Sequence, residues 1–80
     1  MARKRATERV ILRAEAAWDL LRQLNMSQNE FADRCGLTSG YMSQLFSGER
    51  SPSPPVRRRI QKVLGVEDFN ALFVVVKVDE

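Results

Sequence analysis

The stretch that decides the fold is Gln28 to Ser47, QNEFADRCGLTSGYMSQLFS. It reads as two short helices set at a right angle around a glycine turn. Ala32 falls where the first helix must touch the second, and a larger side chain there would hold them apart. On the helical period Phe31 and Cys35 point from the same helix into the shared core. Gly36 turns the chain, because glycine at a helix end adopts the left-handed conformation that other residues resist, and Leu37 covers the corner. Met42 and Leu45 give the second helix its buried stripe. Ser27 followed by Glu30 fits the capping box S-x-x-E, and Thr38 or Ser39 can cap the second helix. Any helical hairpin could carry one of these residues; their conjunction in one ungapped window specifies the corner.

Outward from this window the chain reads as five helices. A helix over Ala14 to Leu24 puts Ala17, Leu20, Leu21 and Leu24 on one face, with Trp18 beside them as a core or edge anchor. After the corner, Ser51-Pro52-Ser53-Pro54-Pro55 is a turn into a fourth helix, with Ser53 as its cap and proline in its first turn. Val56, Ile60, Val63 and Leu64 form its buried stripe, leaving Arg57, Arg58, Arg59 and Lys62 mostly outside, and Gly65 stops it. Glu67 to Leu72 is expected as a short fifth helix whose Phe69 and Leu72 close the core. Phe73 to Val78, FVVVKV, is a poor helix tail and a good strand, and Arg9 to Arg13 is the one other segment with strand character. The two are expected to pair as a small ribbon, 9–13 with 73–78. Two rivals stay open: Thr7 capping a longer first helix, and the valine strand pairing with its twin in a second subunit.

Composition narrows the function classes. Eighty residues make one domain, buried over only about 60% of its unfolded surface. The expected organisation is a basic flexible arm over 1–8 and a folded domain over 9–80, with the bihelical corner at 28–47. No apolar run approaches the ~20 residues of a membrane span, and Met-Ala-Arg-Lys-Arg lacks the apolar segment of a signal peptide, so a cytoplasmic, nucleoid-associated protein is expected. Cys35 is the single cysteine and histidine is absent, which leaves no intrachain disulfide and no zinc ligand set. Cys35 is most simply a core residue; a redox thiol would need an exposed, low-pKa setting. With acids scattered and no glycine-rich phosphate loop or nucleophile-base pair, no catalytic residue, cofactor, metal or small-molecule ligand is expected, and the chain is read as not an enzyme. The net charge is +3, in two basic blocks. Arg3, Lys4, Arg5, Arg9 and Arg13 stand against Glu8, and Arg57, Arg58, Arg59 and Lys62 form the second block, while Glu67, Asp68, Asp79 and Glu80 are acidic. Such polarity suits a phosphate backbone, although basic runs also simply solvate a surface.

The stretch Met26 to Val66 resembles the XRE family, the Cro and phage-repressor class of DNA-binding domains, without a gap. The resemblance is carried by Ser27-Gln28, Glu30, Ala32, Gly36-Leu37, Tyr41-Met42-Ser43-Gln44-Leu45, Gly48, Pro52 and Leu64-Gly65-Val66. Phe46 departs from it, standing where the family usually has an acidic residue, and so does Gly40. The fold it implies is an all-α, compact five-helix, phage-repressor-like helix-turn-helix domain, here with the small terminal ribbon.

The implied function is sequence-specific binding of double-stranded DNA as a transcriptional regulator, with helix 38–47 in the major groove. A repressor is expected because no effector or activation domain accompanies the reader. The resemblance puts Ser39, Gly40 and Gln44 toward base edges. Gln44 is the specificity candidate, since its amide can bond bidentately to adenine N6 and N7, and it could equally be an exposed helix glutamine. Ser39 is as credible as a cap as it is as a contact. Gly40 cannot read a base, so close approach of backbone to DNA is its functional explanation, and Tyr41 and Ser43 gain weight as base or phosphate contacts. Tyr41 is equally well read as a packing residue. Phosphate contacts are expected from Gln28, Thr38, Ser47, Arg50 and Arg57. One such motif reads only about four or five base pairs, so a homodimer on a palindromic operator is expected, with Val74 to Val78 and Phe69 to Phe73 as apolar interface candidates. The alternative is a protein-interaction module, such as an antitoxin or adaptor, on the same fold.

Overall fold

Serine, threonine and aspartate stand where three of the helices begin, and in each case the side chain accepts a backbone N–H that the helix itself cannot satisfy. In the computed structural model, which describes residues 7–78, the order is β1 (Thr7–Leu12), α1 (Ala14–Gln23), α2 (Gln28–Arg34), α3 (Ser39–Ser47), α4 (Pro54–Leu64), α5 (Phe69–Leu72) and β2 (Phe73–Val78). Ser27 Oγ accepts from the Glu30 N–H at 3.0 Å, Thr38 Oγ1 from the Tyr41 N–H at 3.1 Å and Asp68 Oδ1 from the Asn70 N–H at 3.1 Å. Thr38, not Ser39, is therefore the cap of α3. The reciprocal half of the capping box is not made, because the Glu30 carboxylate instead accepts from Arg34 one turn on. Ser53 occupies the cap position of α4 as expected, but makes no side-chain hydrogen bond; Pro54 and Pro55 in the first turn carry no N–H to be left unsatisfied.

Four helices end by one chain reversal. After α2 the Leu37 N–H reaches the Ala32 carbonyl at 2.8 Å and the Gly36 N–H reaches that of Asp33 at 3.0 Å, with Gly36 at φ 72°. The paired bonds and the left-handed residue make a Schellman motif. The same pattern closes α1, α3 and α4 around Asn25, Gly48 and Gly65. Asn25, at φ 55°, is the one non-glycine in this set, and asparagine tolerates that region better than other side chains.

These stops stack the helices around a single core of Ala17, Leu21, Phe31, Ala32, Met42, Leu45, Ile60 and Leu72, each 1% exposed or less. Fully burying each of the large members contributes about 1.5–3 kcal/mol before entropy is counted. Leu24 leaves the apolar face expected for the first helix and is 45% exposed, because α1 ends at Gln23 and the reversal at Asn25 carries the chain away. Trp18 is an edge anchor, with its ring 4.8 Å from that of Phe46, which meets Phe31 edge-on at 6.2 Å. The unusual Phe46 thus bridges a surface tryptophan to the core, in pairs of the kind that contribute about 0.5–1.5 kcal/mol each.

The ends pair as expected. β1 and β2 form an antiparallel ribbon in register from Leu12 opposite Phe73 to Thr7 opposite Val78, with Glu8 opposite Lys77. Thr7 lies in a strand, so the longer first helix is not formed, and of the expected arm 1–8 only Thr7 and Glu8 fall within the described residues. Leu12 and Phe73 seal the core, and the Arg13 N–H donates to the Leu72 carbonyl at 2.7 Å. The segment Phe69 to Phe73 is consequently not an exposed apolar surface: Leu72 and Phe73 are buried, and Phe69 is half-buried against Phe73 at 5.2 Å. Among the described residues no helix is long and apolar enough to cross a membrane.

Cys35 lies in this core at the end of α2. Burial pushes its thiol from 9.0 up to about 11, offset in part by the Arg59 guanidinium. An unfolded chain ionises this thiol first, so its linkage leaves stability untouched below pH 9 and lowers it as pH rises through about 11. Chemical denaturation between those pH values is expected to show a fall in stability that is shallower in Cys35→Ala; identical slopes would remove Cys35 as the cause. Ala32→Leu is expected to cost about 1–3 kcal/mol or more by forcing α2 off α3. Trp18 fluorescence in a thermal melt reads that loss, and an undiminished melting temperature would contradict the close contact assigned to Ala32.

Candidate nucleic-acid interface

Helix α3 divides by period. Met42 and Leu45 are buried, Tyr41 and Gln44 are half-buried, and Ser39, Gly40, Ser43 and Ser47 are exposed. The outward face therefore presents small and polar groups, with no acidic side chain in the helix.

Two hydrogen-bonded groups organise that face. Gln28, the first residue of α2, donates from Nε2 to Ser43 Oγ at 3.0 Å, which joins the two helices across their polar side. Arg50 donates from Nε to Gln44 Oε1 at 2.8 Å, and its Cζ lies 5.2 Å from the centre of the Tyr41 ring. The reversal at Gly48 delivers it there: the N–H groups of Glu49 and Arg50 both bond the Gln44 carbonyl, at 3.0 and 3.2 Å, so the chain folds back over the helix it has left. Ser47 is folded back onto its own helix, donating from Oγ to the Gln44 carbonyl at 3.1 Å. Thr38 spends one lone pair on the cap of α3.

Other basic residues hold the scaffold. Arg57 is half-buried, donating to the Pro52 carbonyl at 3.0 Å, with its Cζ 5.9 Å from the Phe69 ring. It is not among the groups gathered around α3. Arg59 donates to the Cys35 carbonyl at 3.2 Å, where the negative end of α2 favours a cation. Arg9 reaches from β1 to the Gly48 carbonyl at 3.2 Å and Ser51 Oγ at 3.1 Å, fastening the ribbon to the turn after α3. Residues read as a general basic field thus include structural ties at Arg9, Arg57 and Arg59. Neither these ties nor the Gln28–Ser43 and Arg50–Gln44 pairs have a local sequence signal, because each joins side chains whose proximity only the fold creates.

A bihelical corner with an exposed polar second helix, closed by a core of five helices, defines a DNA-binding helix-turn-helix domain. The chain belongs to the helix-turn-helix family, of the XRE type, which matches residues 19–68. Among solved structures it is similar to the crystal structure of the transcriptional regulator VanUg, form II, at 21% identity and a TM-score of 0.63, covering 100% of this chain and 97% of that one. That likeness is one of fold. Comparison with curated protein sequences finds no match.

Gly40 has ordinary helical geometry, and a methyl group placed on it meets nothing within 4 Å. The protein itself therefore has no steric need for glycine there, although glycine costs about 1 kcal/mol relative to alanine inside a helix. Gly40→Ala is expected to raise stability by about that amount and yet to weaken DNA binding, through the side chain it inserts between α3 and the duplex. Melting and DNA titration of the same preparation separate the two, and unchanged affinity would remove the close-approach explanation.

Proposed function

We propose that this protein is a transcriptional regulator that reads double-stranded DNA by placing α3 in the major groove. The observation that carries the reading is the α3 surface itself: Ser39, Gly40, Ser43 and Gln44 share one acid-free face, with Tyr41 at its edge, half-buried against the core, and Gln28 and Arg50 flanking it. Ser39 and Gln44 face base edges, Gly40 admits the backbone close to DNA, and Tyr41 and Ser43 reach bases or phosphates. Gln28, Thr38, Ser47 and Arg50 lie around that face as phosphate contacts; Arg57, held at Pro52, is a peripheral one.

A face of this size discriminates too few base pairs against ~10⁶ or more competing sites, which two half-sites about 34 Å or a multiple apart overcome. The protein accordingly acts as a homodimer on a palindromic operator, and occupancy of that operator represses. The resemblance to the phage-repressor class supports this sign. Val75 and Val76 are 46% and 41% exposed on β2, whose free edge offers pairing positions to the twin subunit. The same exposed strand favours a second reading, in which it adds to the sheet of a different protein.

Selection from a random duplex library at two salt concentrations is expected to enrich a palindrome with two short half-sites. Gln44→Ala is expected to lose preference at one base pair per half-site, a change of about 1–3 kcal/mol, with little effect on non-specific DNA. Enrichment of nothing, with binding that vanishes at moderate salt, would overturn the regulator reading in favour of the protein partner.

A further inference from the structure

Gln44 does not stand free. Its Oε1 accepts the Arg50 Nε–H at 2.8 Å, and Nε of arginine is a donor only, so the orientation of the amide is fixed by chemistry as well as by placement. The bond is charge-assisted and stronger than a bond between neutral groups. Arg50 is itself held from two further sides, through its backbone N–H on the Gln44 carbonyl and its guanidinium against the Tyr41 ring. What the pair has left to offer a ligand is then the Gln44 NH₂ and the terminal nitrogens of Arg50, all of them donors.

We propose that Arg50 sets the base preference of Gln44, and that the pair reads guanine. Bidentate bonding to adenine needs one acceptor and one donor from the amide, to match N6–H₂ and N7. With one lone pair of Oε1 taken by a guanidinium, an adenine amino group is left the second lone pair of an oxygen whose acceptor strength the adjacent cation lowers. Guanine offers N7 and O6, two acceptors, to a surface that is all donor. Arg50 is thus a specificity-determining residue that acts through Gln44, beyond any contact it makes with phosphate. This inference rests on α3 occupying the major groove.

The test is the library selection carried out on the wild-type protein, Gln44→Ala, Gln44→Glu and Arg50→Ala, with Trp18 fluorescence checking that each is folded. The position whose preference disappears in Gln44→Ala identifies the base pair that Gln44 reads. Guanine is expected there for the wild type. Gln44→Glu keeps the acceptor for Arg50 but replaces the amide donors by a carboxylate that repels N7 and O6, and is expected to weaken the preference for guanine. Arg50→Ala frees Oε1, and the ratio of adenine to guanine at that position is expected to rise about tenfold, the order of one hydrogen-bonded discrimination. Wild-type preference for adenine at this position would overturn the proposal. So would an Arg50→Ala protein that keeps the wild-type base while losing affinity equally on all sequences, with the DNA-reading function left standing. A wild-type protein that enriches no sequence would overturn that function and this inference together.

Discussion

The structure depends on the approach of α2 to α3 at Ala32. That residue serves twice: its missing bulk lets the helices close, and its carbonyl accepts the Leu37 N–H that fixes the exit from α2. Side chain and backbone at one position thereby set both the distance and the direction of the corner. Phe31, Met42 and Leu45 pack to completion because the corner brings them together, and α1 and α4 then add Leu21 and Ile60 to a core already shaped. The outward face of α3 follows as a by-product, since burying Met42 and Leu45 leaves Ser39, Ser43 and Gln44 with nowhere else to go.

What the sequence made legible was whatever a single residue enforces locally. Gly36, Ser27, Thr38 and the proline turn at Pro54 act within a few positions, so the helices and the corner could be placed from them. The valine run was legible as a strand because β-branched side chains suit no helix tail, and its partner followed from elimination. Leu24 misled because helical period places a residue on a face without saying where the helix ends, and Asn25 ended it one residue early. Phe69 to Phe73 misled for a related reason: an apolar run beside an open strand says nothing about which of its members the core takes.

The candidate face was legible as a set of residues and not as an arrangement. Gln44, Arg50, Gln28 and Ser43 could each be named from the pattern, yet the bonds among them decide which donors and acceptors remain. Gln28 and Ser43 lie on different helices, and Arg50 returns to Gln44 only because of the left-handed turn at Gly48. A pattern of residue types gives an inventory of hydrogen-bonding groups; the fold subtracts those already in use. The basic blocks behave likewise, since Arg9 and Arg59 are tied to carbonyls of the scaffold.

The ribbon joins the first and last described segments, and Leu12 and Phe73, its innermost pair, are both part of the core. A chain emerging from the ribosome can form its helices early, since their bonds are local, but it cannot seal this core until β2 has been made. Closing so long a loop is slow relative to helix formation, and the helical corner waits with one side of its core open. Synthesis order therefore makes the last strand a latch, and an interrupted chain that lacks it exposes apolar surface suited to capture by chaperones or proteases.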